Sequence, residues 1–240
     1  MSSKSDRVQQ AEEIGARLLE TAQSTHRVNR ALVKALADEG LFQTLFATEG
    51  ATAVDLCAIR QGLARTNTGA ETVFALQGLG GTPIRTAGTL SVRERWVPAM
   101  VTGEAVTGFA LTEPGAGSDA AAVTTKAETD GDGYRITGTK AYISNAPEAD
   151  VYTVFATTNP EAGSRGISAF AVPAESEGLS GEAIEMISPH PIGRLTFEDV
   201  FVPADHLLGE FNRGFRVAMQ TLDLFRPSVG AFALGMAEAA

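Results

Sequence analysis

The chain has 240 residues, which is enough for one large or two small domains with a buried core. Hydrophobic residues make up 44% of it and charged residues 20%, proportions typical of a globular protein and not of a disordered one. A net charge of −10 with scattered basic residues argues against nucleic acid or anionic membrane as a partner, and the single cysteine excludes an intramolecular disulfide.

The N-terminal residues 1–13 are polar and lack the apolar core of a signal peptide. No stretch of the sequence approaches the ~18 consecutive apolar residues that a membrane-spanning helix needs. His26 and His206 have no partners at metal-ligand spacing, and the one cysteine adds none. These observations predict a cytoplasmic protein with neither a membrane segment nor a metal site.

Apolar residues recur at helical spacing through the first hundred residues, beginning with Val8, Ile14 and Leu18. Gly40 supplies a helix stop after the second such segment. The predicted helices cover 5–25, 28–40, 55–65, 70–79 and 82–88, and a sixth begins at Ser91. The sequence therefore predicts a helical N-terminal domain over residues 1–105.

Alternating and β-branched apolar residues replace the helical spacing after Gly103. The predicted strands cover 106–111, 123–129, 134–139, 151–157, 167–172 and 195–202. They predict a middle domain over residues 106–210, built as an antiparallel β-barrel or sandwich. Helical spacing returns for residues 211–240, the expected start of a C-terminal helical bundle, where Pro227 predicts a kink. The fold class is α+β.

One loop, residues 109–119, concentrates backbone freedom and polar groups in the sequence FALTEPGAGSD. Pro114 has a fixed φ and no backbone donor, whereas Gly117 leaves room for a close neighbour. Thr112 and Ser118 add hydroxyl groups. The residues alone favour two interpretations equally, an ordinary tight turn or a site for a polar ligand that approaches the backbone closely.

Three segments together resemble the acyl-CoA dehydrogenase family, flavoproteins that desaturate acyl thioesters. They are FALTEPGAGSD at 109–119, GTKAYISNA at 138–146 and RLTFEDVFVPADHLLG at 194–209, and a helix like the family's follows the last. The likeness runs from about residue 30 to the end and is most specific from residue 106 onward. The helical, β and helical order predicted from periodicity agrees with this family.

The resemblance implies that the chain binds FAD as its cofactor, with the loop along the flavin ring and pyrophosphate. The implied FAD-binding residues are Phe109 and Leu111 through backbone groups, and Thr112, Gly117, Ser118, Tyr142 and Ser144. The implied substrate-binding residues are Ser118, Asp223 and Arg226. Glu113, Lys140 and Asn145 lie in the same motifs, and we expect structural roles for them.

The chain departs from the family's pattern at three places. Tyr142 and Ser144 stand where the family has tryptophan and threonine, and each keeps the chemistry of the residue it replaces. Segment 186–193 lacks the family's arginine and has Pro189, His190 and Pro191 instead. The family's catalytic glutamate lies either in the C-terminal helical domain or immediately before the arginine that is here Arg226. This chain has Phe225 at the second position, so no catalytic residue is assigned.

The resemblance implies an oxidoreductase that desaturates an acyl thioester carried by coenzyme A or by an acyl carrier protein. We expect electron-transfer flavoprotein or a similar protein as electron acceptor, and a homo- or hetero-oligomer. The chain looks like the first two-thirds of such an enzyme, so a C-terminal portion or a partner subunit would carry the catalytic glutamate. Two alternatives remain open: a related flavin-dependent monooxygenase, and a non-catalytic truncated subunit.

Overall fold

A computed structural model describes residues 4–22, 26–187 and 190–240 of the chain. Seven α-helices are present among these residues. They are α1 Lys4–Arg17, α2 Arg30–Asp38, α3 Leu41–Phe46, α4 Ala53–Thr66, α5 Thr68–Ala87, α6 Leu90–Thr102 and α7 Gly214–Ala239. The first six precede all strands, so the predicted order of a helical part, a β part and a final helix is confirmed.

The strands form one seven-stranded sheet. They are β1 Thr107–Ala110, β2 Lys126–Asp130, β3 Gly133–Ser144, β4 Val151–Thr157, β5 Ile167–Pro173, β6 Leu179–Ala183 and β7 Ile192–Pro203. The order across the sheet is β1-β4-β2-β3-β7-β6, and β5 also pairs with β4. Most strand pairs are antiparallel, as expected. Strand β4, however, runs parallel to β1 and also to β2, which it contacts through a single residue pair.

The helical predictions differ from the structure in three places. Segments 70–79 and 82–88 belong to one continuous helix, α5, which runs through Pro83. Gly40 follows the end of α2, as predicted, with a left-handed backbone (φ 77°), but it leads directly into α3, a helix that the sequence did not predict. The first helix ends at Arg17, and residues 23–25 of its predicted span lie outside the described residues.

Helix α5 lies at the centre of the structure and packs against both β1 and α7. Its glycines allow these close contacts. A Cβ built at Gly80 would lie 2.5 Å from Thr107 Oγ1 and 2.9 Å from the backbone nitrogen of Gly108 in β1. A Cβ built at Gly78 would lie 2.7 Å from Cζ of Phe225 in α7. The glycine-rich sequence of α5 therefore brings the sheet and the last helix together around the same helix.

Candidate functional site

The loop that follows β1 is anchored by a buried ion pair. Glu113 and Lys140 have side chains that are 2% and 0% exposed, and Oε1 of Glu113 lies 2.8 Å from Nζ of Lys140. Lys140 also donates to the backbone oxygen of Leu111 at 3.1 Å. The carboxylate of Glu113 accepts further bonds from the backbone nitrogens of Thr124 and Thr125 and from the Thr124 hydroxyl. The structural roles expected of Glu113 and Lys140 are confirmed by these contacts.

Charge and hydrogen bonding set the protonation of this pair. Burial alone would raise the pKa of Glu113, but the positive charge of Lys140 and the bonds from Lys140, Thr124 and Thr125 together lower it to about 2. Burial lowers the pKa of Lys140 to about 8, against the opposing effect of Glu113. Both groups are therefore charged at pH 7. Glu113 holds the loop in place and is unsuited to accept a proton.

A cavity of about 490 Å³ opens between this loop, α5 and α7. Such a volume lies within the range of ligand sites in proteins. Of the residues predicted to bind cofactor or substrate, those lining it are Phe109, Leu111, Thr112, Gly117, Ser118, Tyr142, Ser144 and Arg226. Loop residues about a hundred positions before α7 thus line one cavity together with it.

Two hydroxyl groups of the loop are available to a ligand. Within the described part of the chain, neither the Thr112 hydroxyl nor the Ser118 hydroxyl has a hydrogen-bond partner in the protein. The backbone of the loop is tied down, because Ala141 donates to the backbone oxygen of Thr112 at 3.0 Å. Nothing lies within 4 Å of a Cβ built at Gly117, so the chain is open there. The loop presents fixed polar groups to an open space.

Tyr142 is aimed into the cavity by an irregularity in strand β3. The register between β3 and β7 shifts between Lys140 and Ile143, and Tyr142 has a left-handed backbone with φ 55°. Its side chain is 64% exposed in spite of its size. A bulky residue with positive φ is an uncommon and strained conformation that often marks a functional site. The bulge therefore leaves an exposed aromatic side chain in the same cavity as Ser144, whose hydroxyl is predicted to bind the cofactor.

Helix α7 contributes one face to the cavity and another to the core. Phe215, Met219, Leu222 and Arg226 line the cavity at helical spacing. Asp223 is not among the lining residues, although its Oδ1 lies 2.8 Å from Arg226 Nη1 on an exposed surface. Phe225 is only 5% exposed and packs into the core against Gly78. The family's alternative glutamate position therefore faces away from this cavity.

No buried carboxylate lines the cavity among the described residues. The one acidic residue that lines it is Asp119, which is exposed on the loop and accepts from the backbone nitrogen of Ala121 at 3.2 Å. A general base for proton abstraction from carbon requires a positioned carboxylate in a dry environment. The described lining residues thus leave such a base unassigned.

A second cavity of about 520 Å³ lies between α2, α5 and α7. Leu76 lines both cavities. His190 lines the second cavity, and its Nε2 lies 3.0 Å from the hydroxyl oxygen of Ser144, which lines the first. Pro191 also lines the second cavity, whereas Pro189 lies outside the described residues.

Sequence reasoning missed several lining residues. Leu79, Phe215 and Met219 line the first cavity and belong to helical faces that the sequence marks only as apolar. His190 was noted as a departure from the family's pattern, yet its contact with Ser144, 46 positions away, has no signal in the sequence. Asn145 donates to the backbone oxygen of Thr107 at 2.9 Å, which confirms the structural role expected of it.

Two classes of site are not found in the described part of the chain. No group of three or more histidine, cysteine, aspartate or glutamate side chains there is arranged to hold a metal ion. Searched over those same residues, no helix has both the length and the apolar character needed to cross a membrane.

Comparison with known protein families matches most of the chain. Residues 7–104 match the family described as "Acyl-CoA dehydrogenase, N-terminal domain", and residues 108–200 match "Acyl-CoA dehydrogenase, middle domain". "Probable acyl-CoA dehydrogenase FadE25" of Mycobacterium tuberculosis is 36% identical over 195 residues, 80% of this chain and 50% of that protein. The mitochondrial short-chain specific acyl-CoA dehydrogenase of Bos taurus is 45% identical over 161 residues, 66% of this chain and 39% of that protein.

Solved structures share the whole fold. Butyryl-CoA dehydrogenase from Megasphaera elsdenii superimposes with a TM-score of 0.88 and 30% identity over 100% of this chain and 67% of that one. A structure described as "PigA with FAD and proline" superimposes with a TM-score of 0.92 and 25% identity over 100% of this chain and 66% of that one. The present chain spans about half the length of the mycobacterial relative.

Proposed function

The chain belongs to the acyl-CoA dehydrogenase family, and on that premise we propose that it forms the FAD-binding part of an enzyme that desaturates an acyl thioester. The observation that carries the proposal is the 490 Å³ cavity, which joins the predicted loop residues, Tyr142 and Ser144 to helix α7. The carrier of the thioester, coenzyme A or an acyl carrier protein, is part of the proposal.

The residues present fit a flavin. An exposed aromatic face at Tyr142 suits a flat conjugated ring, and the hydroxyls of Thr112, Ser118 and Ser144 suit its polar edge and a phosphate chain. The open backbone at Gly117 lets donors approach closely without a cation. Phe109, whose ring centroid lies 4.9 Å from that of Phe155, and Leu111 add apolar surface. When bound, FAD supplies the acceptor for the hydride that leaves the β-carbon of the acyl group.

The chain's own residues bind and orient the reactants. The Glu113–Lys140 pair fixes the loop so that the Thr112 and Ser118 hydroxyls need no rearrangement on binding. Arg226 places a positive charge at the cavity wall for the polar part of the thioester carrier, and Asp223 holds its guanidinium at 2.8 Å. Leu222, Met219 and Leu79 give the cavity an apolar wall between the loop and the helix.

The proton acceptor is proposed to lie on a further portion of the protein or on a partner subunit. The described residues that line the cavity offer only the exposed Asp119, and Glu113 is committed to Lys140. We propose three further points with it: a division of the chain into 1–105, 106–210 and 211–240, an oligomeric assembly, and an electron-transfer flavoprotein as electron acceptor. The β part, the helical part and the final helix are consistent with that division.

FAD titration tests the cofactor assignment. The double variant Thr112→Ala and Ser118→Ala should bind FAD more weakly by about 1–3 kcal/mol, because ligand atoms lose their partners. A matched control is Thr129→Ala with Ser180→Ala, two exposed residues on strands away from the cavity, which should bind FAD as the parent does. Equal affinity in both double variants would remove the loop hydroxyls from the site.

Anaerobic reduction tests the reaction. The FAD-loaded protein, with the partner or portion that supplies a glutamate, should lose its flavin absorbance when an acyl-CoA is added. Retained FAD with no reduction by any acyl thioester would support a non-catalytic subunit. Rapid reaction of the reduced flavin with oxygen, coupled to oxygenation of a substrate, would support the monooxygenase instead.

A further inference from the structure

The hydrogen bond between Ser144 and His190 joins the walls of the two cavities. Ser144 lines the 490 Å³ cavity and His190 lines the 520 Å³ cavity, with 3.0 Å between Oγ and Nε2. Within the described residues, the Ser144 hydroxyl has no other hydrogen-bond partner in the protein. The direction of the Ser144 hydroxyl proton therefore depends on which of the two atoms donates in this hydrogen bond.

Backbone pairing holds the two residues together independently of their side chains. Ser144 is the last residue of β3 and pairs with Ile192, the first residue of β7. The next residue, Asn145, donates from its backbone nitrogen to the oxygen of Pro191 at 2.8 Å. Because Pro191 follows it, the backbone of His190 is restricted to extended conformations. The segment carrying His190 is thus fixed beside the end of β3.

The surroundings of His190 favour a neutral ring. Burial lowers the pKa of the His190 imidazole, since the charged form loses solvation. Among the described residues lining its cavity the one charged side chain is Arg27, whose Nε lies 2.6 Å from Oε1 of Glu148. A neutral imidazole has one donor nitrogen and one acceptor nitrogen. If Nε2 is the donor, Ser144 Oγ accepts from it, and the hydroxyl proton is left to donate into the first cavity.

We propose that His190 is a positioning residue: it donates from Nε2 to Ser144 Oγ and so directs the Ser144 hydroxyl proton toward the FAD cavity. The inference rests on the proposed function, because it needs a flavin in that cavity. It goes beyond it by giving a role to a histidine that the family's pattern does not contain. Neither residue transfers a proton in this role.

The consequence for the flavin is electrostatic. A fixed hydroxyl donor stabilises whichever redox form of the ring has more electron density at the atom that accepts from it. Removing His190 lets the Ser144 hydroxyl rotate, so the donor is lost for part of the time. The ratio of reduced to oxidised flavin at a given potential should then change about tenfold, which is a shift of about 30 mV in the midpoint potential of a two-electron couple.

The test compares five variants of the FAD-loaded protein by midpoint potential, with flavin absorbance and urea unfolding recorded in parallel. His190→Ala removes the contact, and His190→Gln keeps a nitrogen donor of similar reach. His206→Ala is the matched control, because His206 also uses one ring nitrogen, Nδ1, at 2.9 Å from the oxygen of Ala171, away from the cavities. Ser144→Ala, alone and combined with His190→Ala, shows whether His190 acts through Ser144.

The inference expects a tenfold effect in His190→Ala, substantial recovery in His190→Gln and none in His206→Ala. It also expects no further effect of His190→Ala once Ser144 is alanine. A parent-like potential in a folded His190→Ala protein, or an undiminished effect in the Ser144→Ala background, overturns it. Should His190→Ala fail to fold, a His190→Gln protein with the potential of Ser144→Ala overturns it too. A parent protein that retains no FAD refutes the proposed function itself. That outcome is seen in the parent, before any variant is compared.

Discussion

Nζ of Lys140 lies 2.8 Å from Oε1 of Glu113 in a site where both side chains are almost completely buried. The pair connects strand β3 to the loop after β1, and Lys140 reaches the backbone oxygen of Leu111 as well. Two buried charges are tolerated because the remaining oxygen of Glu113 is bonded to Thr124. The candidate cofactor loop thus depends on an ion pair that takes no part in the chemistry.

Acid should release this loop before it unfolds the rest. The pKa of Glu113 is lowered from 4.5 to about 2, so the folded state holds that proton less tightly than the unfolded state. The stabilisation is present in full above pH 4.5 and is lost as the pH falls toward 2, on the order of 3 kcal/mol in total. Urea midpoints measured at intervals over this window, for the parent and for Glu113→Gln, should converge at the acid end.

The control for the acid prediction is Glu128→Gln, which removes an exposed carboxylate from strand β2. Its difference from the parent should stay small and constant over the same range. A gap between the parent and Glu113→Gln that does not narrow in acid would contradict the assignment of the lowered pKa to Glu113.

Removing only the lysine of the Glu113–Lys140 pair should reduce the stability of the protein more than neutralising both partners. Lys140→Met leaves the Glu113 carboxylate buried without a cation, which should destabilise the protein by about 3–5 kcal/mol. Adding Glu113→Gln to Lys140→Met replaces the stranded charge by an amide and should restore part of the loss. Urea unfolding at pH 7 measures both. A double variant less stable than Lys140→Met alone would show that the carboxylate is stabilised by its other donors without Lys140.

The helical and β parts were predictable because burial there follows simple periods. Strands β4 and β5 are buried at every position and bounded by turn residues, and the sequence located both within a residue or two. Strand β6, LSGEA, was missed because it is mostly exposed and carries no apolar alternation. Helix α5 was divided because glycines and Pro83 interrupt its helical signal, whereas packing against β1 and α7 maintains the helix.

The site was predictable in its members but not in its geometry. The residues expected to bind FAD on the loop and on β3 could be named because the resemblance covers them, and all of them line one cavity. The positive φ of Tyr142 and the bulge beside it follow from pairing with β7, a strand about 50 positions later. The core-facing position of Phe225 depends on the rotation of α7 against α5. Such long-range contacts leave no local pattern in the sequence.

Gly80 should resist substitution far more than another glycine of the same helix. An alanine Cβ there would lie 2.5 Å from Thr107 Oγ1 and 2.9 Å from the nitrogen of Gly108, so helix and strand must separate. Gly80→Ala should cost about 1–3 kcal/mol of stability and weaken FAD binding, since Thr107 and Gly108 line the cavity.

Gly69→Ala is the matched control for that change. The nearest atom to a Cβ at Gly69 is 3.5 Å away, an ordinary contact. This variant should be no less stable than the parent, because alanine is favoured over glycine in a helix by about 1 kcal/mol. Urea unfolding and FAD titration of the two variants decide the point, and equal losses in both would refute the close approach at Gly80.

A glutamate at position 225 should unfold the protein rather than supply a catalytic base. Phe225 is 5% exposed, and its ring packs against Gly78 in α5, so a carboxylate there would be buried in an apolar site. Phe225→Glu should therefore lose more than about 3 kcal/mol of stability and show no exchange of the acyl α-proton.

Leu222→Glu is the comparison, because Leu222 lies one turn earlier on the face of α7 that lines the cavity. Its carboxylate can reach the cavity, so its loss of stability should be smaller. Urea unfolding and deuterium exchange of an acyl-CoA measure the two effects. A stable Phe225→Glu protein that catalyses the exchange would mean that α7 rotates when substrate binds and that position 225 faces the substrate after all.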